Sequence, residues 1–314
     1  MSDDEFRHIQ VEPMTLHIGA EISGVDLKQP LLTEVLREVR QAWVKWKVVF
    51  FRGQHLDHAQ HVAVARMFGE PTIGHAVFGH EKDFPEIYSV AKVRKGNTTY
   101  RDKPMLTPWS FWHADLTPAI NPPVGSLLRG TVVPPYGGDT QWTNLAAAYN
   151  GLSETMRAIV EKLDAIHAFE VPQGGGAKGE YADSVRDRIL ISEHPLVTVH
   201  PETGERVLYV SPQFVRKISG LHPRESQKLL EFLFEHAVRP EYTLRFRWQP
   251  GDLAFWDNRS TAHLAPLDIF ESDFDRQLYR ITLVGEVPVG VDGRRSKAIE
   301  GRPILSAAEE LNAA

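Results

Sequence analysis

The stretch Trp112-His113-Ala114-Asp115-Leu116-Thr117 sets an imidazole and a carboxylate two positions apart inside an otherwise apolar run. That surrounding predicts a buried strand, in which the side chains at i and i+2 point to one face, about 7 Å apart along the backbone. His113 and Asp115 then project together while Ala114 faces away. Two such groups can reach one metal ion, but a facial site needs a third protein ligand from a different strand, leaving the opposite positions of the ion open. His263 is the candidate, because it follows a strand at 252–256 after the polar turn Asp257-Asn258-Arg259-Ser260. A partner so distant in sequence asks for a closed β architecture whose strands face one another across an interior.

The rest of the chain supports such an architecture. Short apolar runs bounded by turn residues recur at 124–133, 194–200, 206–210, 242–248, 252–256 and 277–284, which is the pattern of a sandwich or barrel. Lys47-Val48-Val49-Phe50-Phe51-Arg52-Gly53 reads as a buried strand closed by glycine. Helical spacing of apolar residues predicts flanking helices at 33–46, at 57–68 with Asp57 as cap, at 153–167 with Ser153 as cap, and at 223–238. His55, His58 and His61 are assigned to a solvated helix face. The glycine-rich segment 172–183 and the basic segment 91–107 read as excursions from the core, the former as a lid or a plain linker.

Composition narrows the function classes. With 314 residues, 42% hydrophobic and 24% charged, the chain has ample material for one domain with insertions. A net charge of −6 gives no broad basic surface for nucleic acid or an anionic membrane, so any anion has to be bound locally. The absence of cysteine excludes disulfides, thiolate metal sites and cysteine nucleophiles, leaving 14 histidines as the main nitrogen ligands. No stretch approaches a membrane span and the acidic start has no signal core, which makes the cytoplasm the expected location. Arg276 and Arg280 stand four apart in a strand-like run with Leu278 between them on their own face, so that face is interior. A buried guanidinium needs an anion, best a carboxylate met by both forks.

Several motifs together resemble the taurine dioxygenase family of iron(II)- and 2-oxoglutarate-dependent oxygenases. They are Trp112-His113-Ala114-Asp115, Gly137-Gly138-Asp139-Thr140-Gln141-Trp142, Trp256-Asp257-Asn258-Arg259 ahead of His263, Gly19-Ala20-Glu21-Ile22-Ser23-Gly24-Val25-Asp26-Leu27 and Val49-Phe50-Phe51-Arg52-Gly53. The likeness spans roughly 16–289. It implies a mostly β fold with flanking helices and a double-stranded β-helix core, of the jelly-roll or cupin kind, in a single catalytic domain over 1–314 whose C-terminal tail begins near 290. It implies that His113, Asp115 and His263 hold Fe(II), that Arg276 pairs with the distal carboxylate of 2-oxoglutarate with help from Thr140, and that Arg280 faces the acidic group of the primary substrate.

By the same likeness His75, Phe78, Phe169 and Phe214 line the substrate pocket, although the three phenylalanines read equally well as plain packing. Trp109, four residues before His113, stands where the taurine-type pocket has a small amide, which implies a more apolar substrate than taurine. Relative to the best-known members the chain looks two residues longer across Ile269-Phe270-Glu271-Ser272-Asp273-Phe274-Asp275, in what reads as a turn. The implied reaction uses dioxygen, releases succinate and carbon dioxide, and hydroxylates a small anionic substrate. An alkyl sulfate, a sulfonate, or an aryloxy or alkyl carboxylate would serve, with cleavage where the carbon carries a heteroatom. Expected partners are that substrate and further copies of the chain, as a dimer or tetramer, with no nucleic acid and no membrane. Two competing readings are a barrel that binds metal or ligand without catalysis, which has no need of His113, Asp115, His263 and Arg276 together, and a zinc hydrolase, for which no general base is evident beside the ligands and which leaves Arg276 unexplained.

Overall fold

Val48-Val49-Phe50-Phe51 is buried at every position, so this strand must be covered on both faces, and the fold is built to do that. The computed structural model describes residues 6–75, 79–92, 107–170 and 188–313. Their strands are β1 Gln10–Pro13, β2 Ala20–Ser23, β3 Val48–Phe51, β4 Tyr88–Ala91, β5 Gly125–Val132, β6 Thr140–Asn144, β7 Asp164–Phe169 and β8 Leu190–Pro195. The second half adds β9 Val197–Val199, β10 Arg206–Leu208, β11 Val215–Ile218, β12 Thr243–Phe246, β13 Leu253–Asp257, β14 Thr261–Leu264, β15 Gln277–Thr282 and β16 Lys297–Glu300. Seven of them form one sheet in the order β1-β2-β3-β13-β5-β15-β4, and β12-β6-β14 form a second. A third sheet runs β11-β7-β8-β16, and β9 pairs with β10.

Alternation along the central strands separates two cores. Val48, Phe50, Leu128, Ala254, Trp256 and Leu278 turn inward and meet Trp142, Leu244 and Phe246 of the three-stranded sheet. There Phe50 stacks on Phe246 with ring centroids 4.0 Å apart, and Trp142 stands edge-on to Trp256 at 5.7 Å. Val49, Phe51, Leu127, Leu253, Phe255 and Ile281 turn outward and are covered by the helices Thr33–Trp46 and His58–Phe68. A third cluster packs the helix Pro223–Ala237 against β9, β10 and β11. The face between the two sheets is where β5, β13, β14 and β15 carry the residues described below.

The first two helices begin and end close to where their periodicity places them, and Asp57 caps the second in a reciprocal capping box with Gln60. Three expectations change. The third helix covers only Glu154–Val160, and the next residues form β7, where Ala165 and His167 are buried alternately and β8 and β11 supply the hydrogen bonds. Residues 112–117 are not a strand: His113 makes an isolated bridge to His263 and the residues after it turn. His61 is not on a solvated face but fully buried, and His58 lies against Arg129, its Nδ1 2.6 Å from the guanidinium.

The excursion expected at 91–107 lies outside the described residues except at Ala91, Lys92 and Thr107, and that at 172–183 lies wholly outside them. Beyond 289, β16 joins β8, and Ser306 bridges to Thr72 ahead of the helix Ala307–Ala313. Among the described residues no helix is long and apolar enough to cross a membrane.

The buried histidines tie stability to pH. Burial, reinforced by Arg129, pushes His61 down to about 3, and burial pushes His194 down to about 4. A folded-state pKa below the unfolded value of about 6.5 means that the contribution is whole above 6.5 and lost as pH falls. Carboxylates held low, such as Glu38 at about 2, lose theirs only below about 4.5, so the window from pH 7.5 to 5 isolates the histidines. Urea unfolding is expected to show a loss of about 2 kcal/mol for each of the two over that window, and His61→Leu should remove its share of the slope. A flat stability between pH 7.5 and 5 would contradict this.

Candidate metal centre and active site

His113 and His263 are brought together by backbone before their side chains act. Each donates its N–H to the other's carbonyl, at 3.0 and 2.6 Å, and their rings lie 4.2 Å apart. His113 Nδ1 sits 2.9 Å from the Phe111 carbonyl. Because a carbonyl only accepts, Nδ1 carries the proton and Nε2 keeps the lone pair that a metal uses. His263 rides on β14, opposite Trp142 of β6. Asp115 follows in the turn, its Oδ1 4.0 Å from His263 Nε2.

Ligand atoms of His113, Asp115 and His263 all lie within 4.8 Å of one another, the one such group among the described residues. Donor atoms so close together can be shared by a single ion. Charge states suit it too. Burial favours neutral imidazole and holds His113 low and His263 well below the ordinary histidine value. Burial works to raise the Asp115 carboxyl, but the Arg280 guanidinium and the two imidazoles overcome it and hold the group well below the usual carboxylate range. Two neutral nitrogens and one carboxylate on one side of an ion are the donor set of non-haem iron(II) oxygenases.

The backbone around this group is strained. Phe111 and Leu116 flank the motif with φ of 67° and 44°, and both line the cavity in front of it. Residues other than glycine occupy this region at a cost, and they concentrate at functional sites.

That cavity, about 230 Å³, brings His113 and Asp115 together with His75, Phe169, Phe214, Arg276 and Arg280. Arg276 is buried, donates from Nε to the Gly138 carbonyl at 2.8 Å and lies 3.5 Å from the Thr140 hydroxyl. Gly138 has φ of 63°, and a Cβ there would lie 3.0 Å from Arg276 Cδ, so glycine admits the arginine. The Thr140 hydroxyl also accepts from Trp248 Nε1 at 3.0 Å. Arg280 donates to Asp115 Oδ1 at 2.5 Å, stands 5.4 Å over the Tyr88 ring, and has a buried Nε with no partner. His75 lies 4.9 Å from the same Tyr88 ring, and Phe214 is edge-on to His113 at 6.2 Å. Phe169 is 6.4 Å from Phe214.

Phe78 lies outside the described residues. Trp109 is placed elsewhere than the sequence suggests: it is not among the lining residues but packs on Phe234 of the helix Pro223–Ala237, with centroids 6.4 Å apart. A turn at residues 108–111, which includes Trp109, precedes the His113 bridge, and the indole packs on Phe234 instead of lining the cavity. The segment 269–275 is also more than a turn. A short 3-10 helix, Leu267–Glu271, sets Leu267, Ile269 and Phe270 in the cavity wall.

Sequence reasoning missed Tyr88, Lys92 and Gln213, which also line the cavity. Tyr88 is found only through pairing, since β4 sets it opposite Arg280. Lys92 donates to the carbonyls of Ser272 and Phe274, the latter at 3.0 Å. Lys92, Arg276 and Arg280 against one carboxylate leave the cavity positive, suited to anionic ligands within apolar walls.

A family model described as taurine catabolism dioxygenase TauD, TfdA family matches residues 10–282. The alpha-ketoglutarate-dependent sulfate ester dioxygenase of Pseudomonas putida is 39% identical over 297 residues, covering 92% of this chain and 94% of its own. The alkylsulfatase of Acinetobacter baylyi is 35% identical over 300 residues, with coverage of 93% and 90%. A solved taurine dioxygenase from Burkholderia xenovorans shares 55% identity at a TM-score of 0.84, covering 96% of this chain and 98% of that one. The motifs, the His-Asp-His group and these matches agree: the chain belongs to the TauD, TfdA family of dioxygenases.

Proposed function

We propose that this chain is an Fe(II)- and 2-oxoglutarate-dependent dioxygenase that oxidises the carbon bearing the ester oxygen of an alkyl sulfate. The observation that carries the reading is that the His-Asp-His group stands beside a cavity, lined by its His113 and Asp115, into which the buried Arg276 and the half-buried Arg280 also converge. A zinc hydrolase or a non-catalytic binder leaves the second anion site unexplained. Two sulfate-ester names among the relatives support this substrate over a sulfonate or an aryloxy or alkyl carboxylate.

His113 Nε2, His263 and Asp115 hold the iron. When bound, iron(II) supplies the dioxygen activation that couples decarboxylation of 2-oxoglutarate, to succinate and carbon dioxide, with hydroxylation of a nearby carbon. Arg276 and the Thr140 hydroxyl take the distal carboxylate of 2-oxoglutarate. Arg280, through its unpartnered Nε, and His75 take the sulfate head, while Phe169, Phe214, Ile269 and Phe270 enclose the alkyl part and exclude water. Hydroxylation at the ester carbon gives a hemiacetal sulfate, which collapses to an aldehyde and hydrogen sulfate. The mostly β architecture is consistent with a double-stranded β-helix core, which we read as a single catalytic domain, and we place the enzyme in the cytoplasm as a homo-oligomer acting on small molecules.

Anaerobic titration with iron(II) and 2-oxoglutarate, followed by a panel of anionic substrates read as succinate and released sulfate, tests the reading directly. His113→Ala, Asp115→Ala and His263→Ala are each expected to abolish turnover in soluble protein, and near-normal succinate production by any of them ends the ligand assignment. Arg276→Ala should weaken 2-oxoglutarate binding by about 2 to 5 kcal/mol, thirtyfold or more. Arg280→Leu should raise the substrate KM while leaving the 2-oxoglutarate charge-transfer band nearly unchanged, and neutral analogues turned over as well as sulfates would sink the anion role. Trp109→Ala, by its packing on Phe234, should cost about 1 to 2 kcal/mol of stability and leave the ranking of substrates unaltered. A changed ranking would return Trp109 to the pocket.

A further inference from the structure

Asp115 Oδ1 lies nearer His263 and is the oxygen Arg280 contacts, whereas Oδ2 accepts a hydrogen bond from the Ser126 hydroxyl at 2.7 Å. Ser126 Oγ in turn accepts from Asn258 Nδ2 at 2.8 Å, and Asn258 Oδ1 accepts from Trp256 Nε1 at 2.9 Å. Asn258 Oδ1 also lies 3.4 Å from the Asp115 amide nitrogen. Ser126, Trp256 and Asn258 are all buried.

The chemistry permits one polarity only. An indole N–H and a backbone N–H can only donate, so the oxygen of the Asn258 amide must face them and its NH2 must face Ser126. Ser126 Oγ, accepting there, has its proton free for the one remaining acceptor, the Asp115 carboxylate. No water is needed to complete the chain, and no alternative flip of the amide satisfies it. The relay also spans the elements that must be held together. Ser126 sits on β5, opposite Trp256 of β13 and Thr282 of β15. Asn258 stands in the turn between β13 and β14, the strand that carries His263.

We propose that Ser126 and Asn258 are positioning residues that clamp Asp115 Oδ2 from behind and so reserve Oδ1, the oxygen nearer His263, as the single metal-binding oxygen. The proposal rests on the ligand assignment given above. A carboxylate free to rotate offers either or both oxygens and loses its aim on the imidazoles. With Oδ2 engaged, Oδ1 is also the atom Arg280 touches, so the arginine and the metal meet on the same oxygen and the relay fixes where they meet. Groups that orient metal ligands in this way commonly change metal affinity tenfold to hundredfold when removed.

The test uses full-length apo-protein and cobalt(II), followed by its ligand-field absorption, with no turnover required. Ser126→Ala removes one hydroxyl from the interior and is expected to weaken cobalt(II) binding at least tenfold and to shift the ligand-field bands, with the folded state confirmed by circular dichroism. Should Ser126→Ala not fold, Asn258→Asp reads the same relay, because an acceptor in place of the NH2 draws the Ser126 proton away from Asp115. Asp115→Ala separates the two ideas. If it binds cobalt(II) as tightly as the unmodified protein, the ligand assignment fails. If it loses cobalt(II) while the relay variant binds with less than a threefold change and unshifted bands, the relay proposal is overturned and the assignment stands. A threefold or greater weakening with shifted bands supports the proposal.

Discussion

A carboxylate taken almost entirely out of water governs this molecule. Asp115 is 3% exposed, and an ionised carboxylate in such a place is tolerable only if positive groups and hydrogen-bond donors surround it. Arg280 and Ser126 do so, and they and the two histidines beside the carboxylate come from different parts of the chain. Arg280 is delivered by β15, Ser126 by β5, His263 by β14, and His113 by the loop that bridges to it. The sheets, with their interlocking Trp142, Trp256, Phe50 and Phe246, hold these four origins in register. A divalent ion placed among them would add further positive charge to a site already arranged to favour the ionised carboxylate.

Much of this was legible from residue types and order. The pairing of His113 with Asp115, the distant His263, and the two arginines four apart on one strand face all appear together in the structure, and the first two helices stand where their spacing put them. The element around His113 itself was misread. An apolar run with i and i+2 polar groups satisfies a strand, but the hydrogen bonds that decide the matter come from β14, nearly one hundred and fifty positions away in sequence, about which local pattern is silent. The convergence survived the error because the backbone bridge aims both side chains the same way.

Other misses share that cause. At 164–169 the apolar spacing of the preceding helix runs on without a stop signal, and only the partners β8 and β11 convert those residues to strand. His61 reads as one of three histidines on a polar helix, yet Leu127 and Arg129 of the large sheet lie beneath it. Trp109 was placed by its distance along the chain from His113, and a turn of backbone sends it to a different core. Burial and chain direction at such points depend on tertiary neighbours, which a single sequence does not display.

Phe111 and Leu116 hold left-handed backbone conformations beside the metal-binding group while shaping one wall of the cavity. A β-branched side chain or proline at either position meets a steric penalty of about 1 to 3 kcal/mol before it touches any ligand. The lining contributed by Leu267, Ile269 and Phe270 on a short 3-10 turn carries no such restriction. Evolutionary change in what the cavity admits is therefore channelled to that turn, where residues can be exchanged or inserted without moving His113, Asp115 and His263. Descendants of this chain can acquire new substrates on one segment of backbone while the reaction itself is inherited unchanged on another.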